Sequence, residues 1–512
     1  MFERLRGSSI YVGNAALQGF STSIIYGLTY PLFVQYLNLP ANQLGGIGSL
    51  LSLAWSPKSL ISFTSDAFPI CGFRRLPYLM MGFLICITVT ISMAVVAFPE
   101  PYHDVDWENC TKIDTEVHNP NSRNEVGFYL AMIALWKMGT AWADCIIDAL
   151  IIERSLLEKK SKRGTILATA KVCASGAKVF AYLFTGLVFN SVMFGGRFCF
   201  KVNINLCFWI FATVLILAAT YAFIFTNEKN FQKREETKGS SYNLEKIKTL
   251  LLSSHYQKLL LFAILFSMLN FHTVAGYKVE KHWAKVEPLV KSIVYIISIL
   301  LHILGVAIFM KKFLNTNWRL LVIITHVIVT LLELPIVTMT VFNIMRSQYL
   351  WFLDDIADGI ISHWINLIIN LITIEYATPG TEGICYAFYW GTYTISSSLS
   401  NSISNLMFSQ FDIMEDYRYL NDSFSDRVVV YMSFIIVYCG RMLVIAAVFL
   451  LPKQKAHAQK LKKNGEESTH KWYNVAFLIG IMVCFVLSFI LNLLPQFKST
   501  RCLMIAGGPG CK

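Results

Sequence analysis

Charged side chains are scarce in this chain of 512 residues. Asp, Glu, Lys and Arg together make up 15% of it, whereas soluble domains carry about 25%. Hydrophobic residues reach 55% and aromatic residues 14%. A composition so poor in charge argues against a soluble enzyme. It predicts an all-α polytopic membrane protein, whose lipid-facing helices must be apolar.

Motifs for metal binding, proteolysis and nucleotide hydrolysis are also missing. The 12 cysteines form no Cys-x-x-Cys pair and no metal-ligand spacing, so neither a metal nor a cofactor is predicted. The absence of His-Glu-x-x-His and Gly-x-x-x-x-Gly-Lys argues against a metalloprotease and against ATP-driven transport within this chain. Most cysteines lie in apolar runs and act as small hydrophobes, but Cys110 and Cys199 fall in polar loops and could form a disulfide.

Apolar runs long enough to cross a bilayer, about 20 residues each, recur along the whole chain. Twelve of them are predicted as membrane helices 1 to 12, near residues 10–37, 43–66, 77–99, 126–152, 164–192, 203–226, 257–280, 288–310, 319–345, 348–375, 383–411 and 428–452. A further run, Tyr473 to Leu494, is predicted to span as well, the alternative being a helix that lies against the bundle. Because the first run continues without a small-residue cleavage site, we expect no cleavable signal peptide.

The twelve predicted helices form two groups of six. Residues 1–226 hold the first bundle, 227–256 a charged cytosolic linker, 257–452 the second bundle, and 453–512 a basic tail with the possible thirteenth helix. This layout resembles the major facilitator fold, in which two six-helix bundles enclose a central substrate path.

The net charge of +12 follows the positive-inside rule rather than pointing to nucleic acid. Loops after even-numbered helices are basic, whereas the opposite loops, 100–125 and 412–426, are acidic. The N-terminus is therefore predicted to be cytosolic. Asn109 and Asn421 begin glycosylation sequons in the two acidic loops, which favours the plasma membrane without excluding an organelle.

An acid-bearing apolar helix occurs once in each half. Helix 4 contains Ala143-Asp144-Cys145-Ile146-Ile147 with Asp148 nearby, and helix 10 contains Ala357-Asp358-Gly359-Ile360-Ile361. A carboxylate within a membrane persists only when it is paired, faces water or has a function. The repeat therefore indicates a transporter built from a duplicated unit.

Polar residues recur every four positions on three helices that would line the central path. Gln18 and Tyr26 lie on such a face of helix 1, Trp136 on that of helix 4, and Asp354 on that of helix 10. Trp351 is one of several aromatic residues near these faces that could stack on a substrate. The alternative is that these residues only bond or pack between helices.

The intramembrane charges differ between the halves. On helix depth alone, Asp148 is predicted near Lys171 and Asp144 near Lys178, with Lys137 two turns away from Asp144. In the second half no Lys or Arg is an obvious partner for the acids, and His302 and His363 are the nearby titratable groups. Unpaired acids could carry protons or bind a cationic substrate; the candidates are Glu333, Asp354, Asp355 and, most sharply, Asp358.

The loop after helix 2 reads Ser65-Asp66-Ala67-Phe68-Pro69-Ile70-Cys71-Gly72-Phe73-Arg74-Arg75-Leu76-Pro77-Tyr78. It resembles the loop motif of the folate–biopterin transporter family within the major facilitator superfamily. The preceding Trp55-Ser56-Pro57-Lys58 and the helix 4 segment from Asp144 to Glu153 are also similar to that family. Whatever the family, Asp66 with Arg74 or Arg75 could join the ends of neighbouring helices and so hold the conformation that is open to one side of the membrane. We therefore predict a gate here.

The resemblance implies a carrier of folates, pterins or related small molecules in a lipid bilayer, often with protons. Such anions would need Lys137, Lys171 and Lys178, which Asp144 and Asp148 could already occupy, so an organic cation such as a choline-like amine stays open. A membrane-embedded enzyme is a remote alternative. The sequence does not determine the oligomeric state.

Overall fold

The fold is that of a helical bundle in which nearly every long element is apolar. The computed structural model describes residues 2–39, 47–48, 50–112, 118–119, 122, 126–159, 163–226, 240–271, 273, 275–286, 288–411, 413, 416–465, 471–494, 497, 499–500 and 502–506. The side chains of residues 354–362, within helix 10, lie outside that description.

The first half contains six predicted helices in the expected order. Their described parts are Phe2–Thr29 for helix 1, Lys58–Ala67 for helix 2, Leu76–Val95 for helix 3, Val126–Leu156 for helix 4, Thr165–Val188 for helix 5 and Ile204–Phe225 for helix 6. Helix 1 continues as a π-helical segment, Tyr30–Tyr36, with Pro31 in its first turn. A short antiparallel pair of strands, Val105–Asp106 and Thr111–Lys112, lies in the loop after helix 3.

The second half repeats this plan after a linker helix, Ser240–Leu252. Helices 7 to 12 are Ser254–Leu269 with Ala275–Lys278 and the π-helical Val279–Trp283, Pro288–Ile308, Trp318–Val341, Gln348–Tyr376, Glu382–Ser409 and Phe424–Ala447. A short helix, Asp416–Asn421, precedes helix 12. A tail helix, Lys455–Gly465, and a C-terminal helix, Lys471–Leu493, follow it.

Not every predicted span is a long unbroken apolar helix. In the described part of the chain, eight helices are long and apolar enough to cross a membrane, or nine with one bent pair. The bent pair, at 63°, joins the linker helix to helix 7. Helix 2, with ten residues, is too short for this measure. Helices 1 and 11 do not meet it either, and polar residues recur along both, such as Gln18 on helix 1 and Ser396 and Ser398 on helix 11. Polar helices of this kind belong inside a membrane bundle and not on its lipid-facing surface.

Close packing of helices 1 and 5 brings the central polar residues together. Gly19 on helix 1 touches the backbone of Ala174 on helix 5, and a Cβ at Gly19 would overlap the Ala174 carbonyl. Small residues allow membrane helices to approach to this distance. The crossing lies between Lys171 and Lys178, so it places both lysines beside helix 1.

The described hydrophobic core is divided unevenly between the two sides of the bundle. One cluster, which includes Ala67 and Leu150 of the first half and Ile384 and Leu259 of the second, joins both halves toward the predicted cytosolic side. Toward the opposite side, the first half has its own cluster around Phe208, and the second half has another around Phe434. The halves are therefore held together on the predicted cytosolic side.

The C-terminal helix packs along helix 11. Near its start, the Asn474 side-chain amide donates to the Leu252 carbonyl at 2.7 Å; near its end, the Asn492 amide donates to the Ser398 hydroxyl at 3.0 Å. Leu252 precedes helix 7 at the predicted cytosolic end, whereas Ser398 lies far along helix 11. The helix therefore runs the length of the bundle, which supports our proposal of a thirteenth span. Cys502, which follows it, is disulfide-bonded.

The predicted disulfide is present. Cys110 and Cys199 are bonded; they are 89 positions apart in sequence, and their Cα atoms are 5.4 Å apart. The bond joins the loop after helix 3 to the loop after helix 5, and disulfides persist in oxidising compartments. Both loops are predicted to be exoplasmic, where such a bond would persist.

Removing this disulfide is expected to destabilise the first half. In a double variant, Cys110→Ser and Cys199→Ser, the free energy of unfolding should fall by about 2–4 kcal/mol, because the unfolded chain loses a long closed loop. A lower melting temperature of purified protein in detergent would show this. As a control, Cys71→Ser changes an exposed free cysteine and should leave the melting temperature unchanged; an equal loss in both variants would contradict the assignment.

Candidate substrate path and gate

Two lysine–aspartate pairs lie at the centre of the bundle. The Lys171 ammonium on helix 5 is 2.8 Å from the Asp148 carboxylate, as predicted from helix depth. Asp144, however, binds Lys58 of helix 2 instead of the predicted Lys178. Lys58 is 5% exposed, and its ammonium also lies 3.9 Å from the centre of the Trp55 ring. The lysine that pairs with Asp144 therefore comes from helix 2 and not from helix 5, as helix depth had predicted.

Lys178 and Lys137 form the other basic part of this centre. The Lys137 ammonium lies 4.0 Å from the centre of the Tyr26 ring, a cation–π contact between helices 4 and 1. Lys178 is within electrostatic range of Tyr26 and Asp144. Among the side chains that the structure describes, neither lysine has a carboxylate partner in hydrogen-bonding contact. Tyr26 is 52% exposed, whereas Lys137 beneath its ring is 1% exposed, so the tyrosine is the accessible member of this group.

A second-half helix reaches the same centre. The Tyr386 hydroxyl of helix 11 is 3.5 Å from the Lys171 ammonium. One turn along, the Trp390 ring lies 6.2 Å from the Tyr386 ring, and its indole N–H donates to the Asn370 side chain at 3.2 Å. An aromatic surface from one half thus lies beside the charged pairs of the other. This is the arrangement expected of a site between two moving halves.

Three other predicted site residues serve packing between helices. Trp136 is 1% exposed and contacts Phe208 and Phe211 of helix 6, so its predicted place on the path is wrong. Gln18 is buried and donates to the Thr140 carbonyl of helix 4. Trp351 packs edge-on against Phe434 of helix 12. A four-residue repeat gives a continuous face, but it does not tell which neighbour that face meets.

The prediction that Glu333 has no obvious basic partner is also wrong. The guanidinium of Arg441 on helix 12 binds the Glu333 carboxylate at 2.6 Å. Arg441 lies near the middle of the predicted apolar run 428–452, where the sequence alone gives no reason to join it to helix 9. Glu333 is therefore part of an ion pair between helices 9 and 12 and not an available carboxylate.

The remaining predicted acids of the second half lie outside the described residues. The backbone of helix 10 is described throughout, but the side chains of Asp354, Asp355 and Asp358 are not. Their predicted roles with substrate or protons stay predictions. Within the described residues, no group of three or more His, Cys, Asp or Glu side chains could hold a metal ion.

The predicted gate residues meet in one buried cluster at the end of the bundle that is predicted to be cytosolic. Asp66 is 0% exposed and lies 2.6 Å from the Arg75 guanidinium and 3.0 Å from that of Arg74. Arg75, 1% exposed, also binds Glu153 at the end of helix 4 at 2.7 Å. The loop can turn tightly because Gly72 takes a left-handed conformation, with φ at 76°. The motif thus joins helices 2, 3 and 4.

This cluster also joins the two halves. The second carboxylate oxygen of Asp66 accepts a 2.8 Å hydrogen bond from the backbone N–H of Ile384, in the first turn of helix 11. That N–H has no partner within its own helix, and a carboxylate is stabilised at a helix N-terminus. Arg74 reaches Glu382 at 3.4 Å. Gly383 leaves room for the contact, since a Cβ there would overlap the Ser62 hydroxyl.

A second contact closes the cytosolic side. Arg163, between helices 4 and 5, binds Glu375 at the end of helix 10 at 3.1 Å. The tail helix adds Gln459, whose amide donates to Glu375 at 2.8 Å, and Lys455, whose ammonium donates to the Arg163 carbonyl at 3.1 Å. The tail is therefore attached to both halves.

The two sequon asparagines are exposed, as glycosylation requires. Asn109 lies in a turn where its amide donates to Asp106 at 2.7 Å. Asn421 ends the short helix before helix 12, next to Asp422, which binds both Arg346 and Arg427. Partial burial would raise the pKa of the Asp422 carboxyl, but the hydrogen bonds from these arginines outweigh it and lower that pKa. Whether either asparagine is modified stays a prediction.

Comparison with known proteins supports the resemblance seen in the loop after helix 2. A model of the BT1 family matches residues 18–104, the segment that contains Lys58, Asp66, Arg74 and Arg75. The chain is similar to folate–biopterin transporters. A probable folate-biopterin transporter of Arabidopsis thaliana is 25% identical over 165 residues, which cover 31% of this chain and 29% of that protein. The match thus spans less than a third of the relative's length, and the predicted resemblance is confirmed for that part.

The solved structures confirm the fold. A proton:xylose symporter of the major facilitator superfamily, bound to 6-bromo-6-deoxy-D-glucose, superposes with a TM-score of 0.59 at 12% identity, covering 90% of this chain and 99% of that one. A human organic anion transporter gives a TM-score of 0.51 at 12% identity, covering 85% and 99%. The chain is a multi-pass membrane protein with the major facilitator fold. At such identities, the likeness concerns the fold alone.

Proposed function

We propose that this protein is a secondary transporter that moves a small, anionic, folate- or pterin-like metabolite by alternating access. The fold supplies two halves around a central site, and the cytosolic cluster around Asp66 holds them closed on one side. The family resemblance supports a transported metabolite, and no enzyme motif opposes it. The sequons and the disulfide favour the plasma membrane.

The charge of the central site is the observation that carries the anionic substrate. Four lysines face two aspartates among the described side chains there, an excess of two positive charges (4 − 2): Lys58, Lys137, Lys171 and Lys178 against Asp144 and Asp148. Both aspartates already have a lysine in contact. A cation in excess within a membrane needs a counter-charge, and a substrate carboxylate would supply it. The aromatic rings of Tyr386 and Trp390 would suit a planar heterocycle.

A cationic substrate is the second candidate because helix 10 carries acids. It requires Asp358 to face the path and the lysines of helices 4 and 5 to be neutralised by Asp144 and Asp148. The Lys58–Asp144 pair weakens this second condition, since it leaves Lys178 and Lys137 without a carboxylate in contact among the described residues.

Two single variants separate these proposals. In liposomes with purified protein, counterflow and net uptake of folates, pterins and choline-like amines are measured with and without a proton gradient. For an anion carrier, Lys178→Ala should lower folate or pterin uptake about tenfold or more, equal to about 1.4 kcal/mol of substrate interaction. Asp358→Asn should then have the smaller effect. The control Lys311→Ala removes an exposed lysine from the π-helical segment Phe309–Phe313, which follows helix 8, and should leave uptake unchanged.

The opposite result would reverse the assignment. If Asp358→Asn abolishes uptake of an amine while Lys178→Ala preserves it, the substrate is a cation. If the wild-type protein moves none of these compounds in either assay, the proposed substrate class is wrong.

A further inference from the structure

Two histidines of the second half stack against each other within the membrane bundle. The rings of His302 on helix 8 and His363 on helix 10 have centroids 3.9 Å apart, with 43° between their planes. Among the residues that the structure describes, the buried Nδ1 atom of His302 has no hydrogen-bond partner. Helices 8 and 10 are held in register next to this pair, since the Trp364 indole donates to the Gly305 carbonyl at 3.0 Å.

The pair lies across the interface from the basic site. Lys171 and Lys178 of helix 5 both act electrostatically on His302. Helices 5 and 8 are in direct contact, with Gly186 against Ser292 and the Tyr182 ring 5.6 Å from the Tyr295 ring. The imidazoles therefore belong to one half and the nearest lysines to the other.

Other charged and titratable groups face this place from each neighbouring helix. Asp144 and Asp148 of helix 4 and Tyr386 of helix 11 act on Lys171, and Asp144 also acts on Lys178. Helix 10 also carries three acids whose side chains lie outside the described residues, namely Asp354, Asp355 and Asp358.

We propose that His302 and His363 form the proton-binding element that couples transport to a proton gradient. The inference rests on the proposed function, because it assigns protons to the same site as the anion. Histidine is the side chain whose ordinary pKa, about 6.5, allows a charge change near neutral pH. Two imidazoles in contact hold one proton more readily than two, because like charges repel.

The lysines explain how proton and substrate would be linked. Without substrate, the positive charges of Lys171 and Lys178 oppose a third positive charge on the adjacent imidazoles. A bound anion offsets those charges, so one proton enters the pair together with it. The anion and proton are then carried together, and both leave when the halves part on the other side. Binding of each ligand favours the other by the same factor.

The test separates proton coupling from substrate movement. His302→Gln and His363→Gln, alone and together, are compared with wild type in liposomes. Counterflow, which needs no gradient, should be retained in the variants. Accumulation driven by an inward proton gradient should be lost, and a pH-sensitive dye inside the liposomes should show no substrate-dependent acidification. His302→Asn and His363→Asn provide a second pair in case the glutamine variants do not fold.

His326→Gln is the matched control. His326 is also a buried intramembrane histidine, but its ring contacts the Val322 carbonyl of its own helix at 2.9 Å and packs on Phe266. This variant should keep both counterflow and gradient-driven accumulation. Unchanged accumulation in the His302/His363 double variant would overturn the inference, as would net uptake by the wild type that no proton gradient affects. Absence of all counterflow in the wild type would instead overturn the proposed function.

Discussion

Replacing Asp144 with asparagine is expected to abolish transport and to destabilise the protein. The change leaves the ammonium of Lys58, which is 5% exposed, without its carboxylate. Removing one partner of a buried ion pair costs about 3–5 kcal/mol, because the other charge stays in a poorly solvated place. Lys58→Met should have a similar effect on transport, because it leaves Asp144 with only the more distant lysines. Counterflow in liposomes and the melting temperature in detergent measure the two effects.

The double variant tells whether the pair is structural or functional. Lys58→Met combined with Asp144→Leu removes both charges, so much of the stability should return. Transport should not return, since the site then lacks a switchable ion pair between helices 2 and 4. Recovery of full transport in the double variant would show that the pair serves stability alone.

The Glu333–Arg441 pair is the matched control for this experiment. It is also an intramembrane pair between two helices, at 2.6 Å, but it lies between helices 9 and 12, away from the central lysines. Glu333→Gln with Arg441→Met should lower the melting temperature less than either single change. Transport per folded molecule should be preserved. Equal loss of transport in both double variants would show that any buried pair matters in the same way.

Predictions from the sequence succeeded where the position of a residue along the chain was enough to decide them. Helix order and the height of Asp148 opposite Lys171 both follow from hydropathy and residue counting. The gate residues could be found because Asp66, Arg74 and Arg75 are close in sequence and a tight turn joins them. The Cys110–Cys199 bond was one option among several, made plausible by the two loops lying on the same side.

What failed depended on the rotation of each helix about its axis. Trp136 is at the right depth for the path but points toward helix 6, and Asp144 turns toward helix 2. Lys58 lay inside the predicted helix 2, residues 43–66, but the described helix begins only at Lys58, and hydropathy gave no reason to join this lysine to Asp144 of helix 4. Glu382 and Arg441 complete ion pairs with residues 308 and 108 positions away. Such pairings come from tertiary packing, which a single sequence does not show.

Neutralising Asp66 is expected to open the cytosolic side. Asp66→Asn keeps the size of the side chain but weakens its bonds to Arg74, Arg75 and the Ile384 N–H. A hydrogen bond that involves a charged group contributes about 1.5–3 kcal/mol, so losing two such bonds should shift the conformational equilibrium roughly a hundredfold or more. Gly383→Ala should act in the same direction, since its Cβ would overlap the Ser62 hydroxyl in the closed state.

Native cysteines can report this opening without engineered probes. Cys145 and Cys385 are free, buried and adjacent to the gate, whereas Cys71 is exposed on the same loop. A membrane-impermeant thiol reagent applied from the cytosolic side should label Cys71 in every protein, and Cys145 and Cys385 much faster in the Asp66→Asn and Gly383→Ala variants. Mass spectrometry of the peptides measures the labelling at each site.

Two further cysteines distinguish opening from unfolding. Cys86 and Cys207 are buried in the first-half cluster on the opposite side, so they should stay unlabelled if only the gate opens. Labelling of all four buried cysteines would mean that the variant has lost its fold. Unchanged protection of Cys145 and Cys385 in a folded variant would show that the contacts of Asp66 do not hold the halves together. The closed state would then depend on the pair of Arg163 with Glu375 and on the tail helix. Arg163→Gln should in that case be the variant that exposes Cys385.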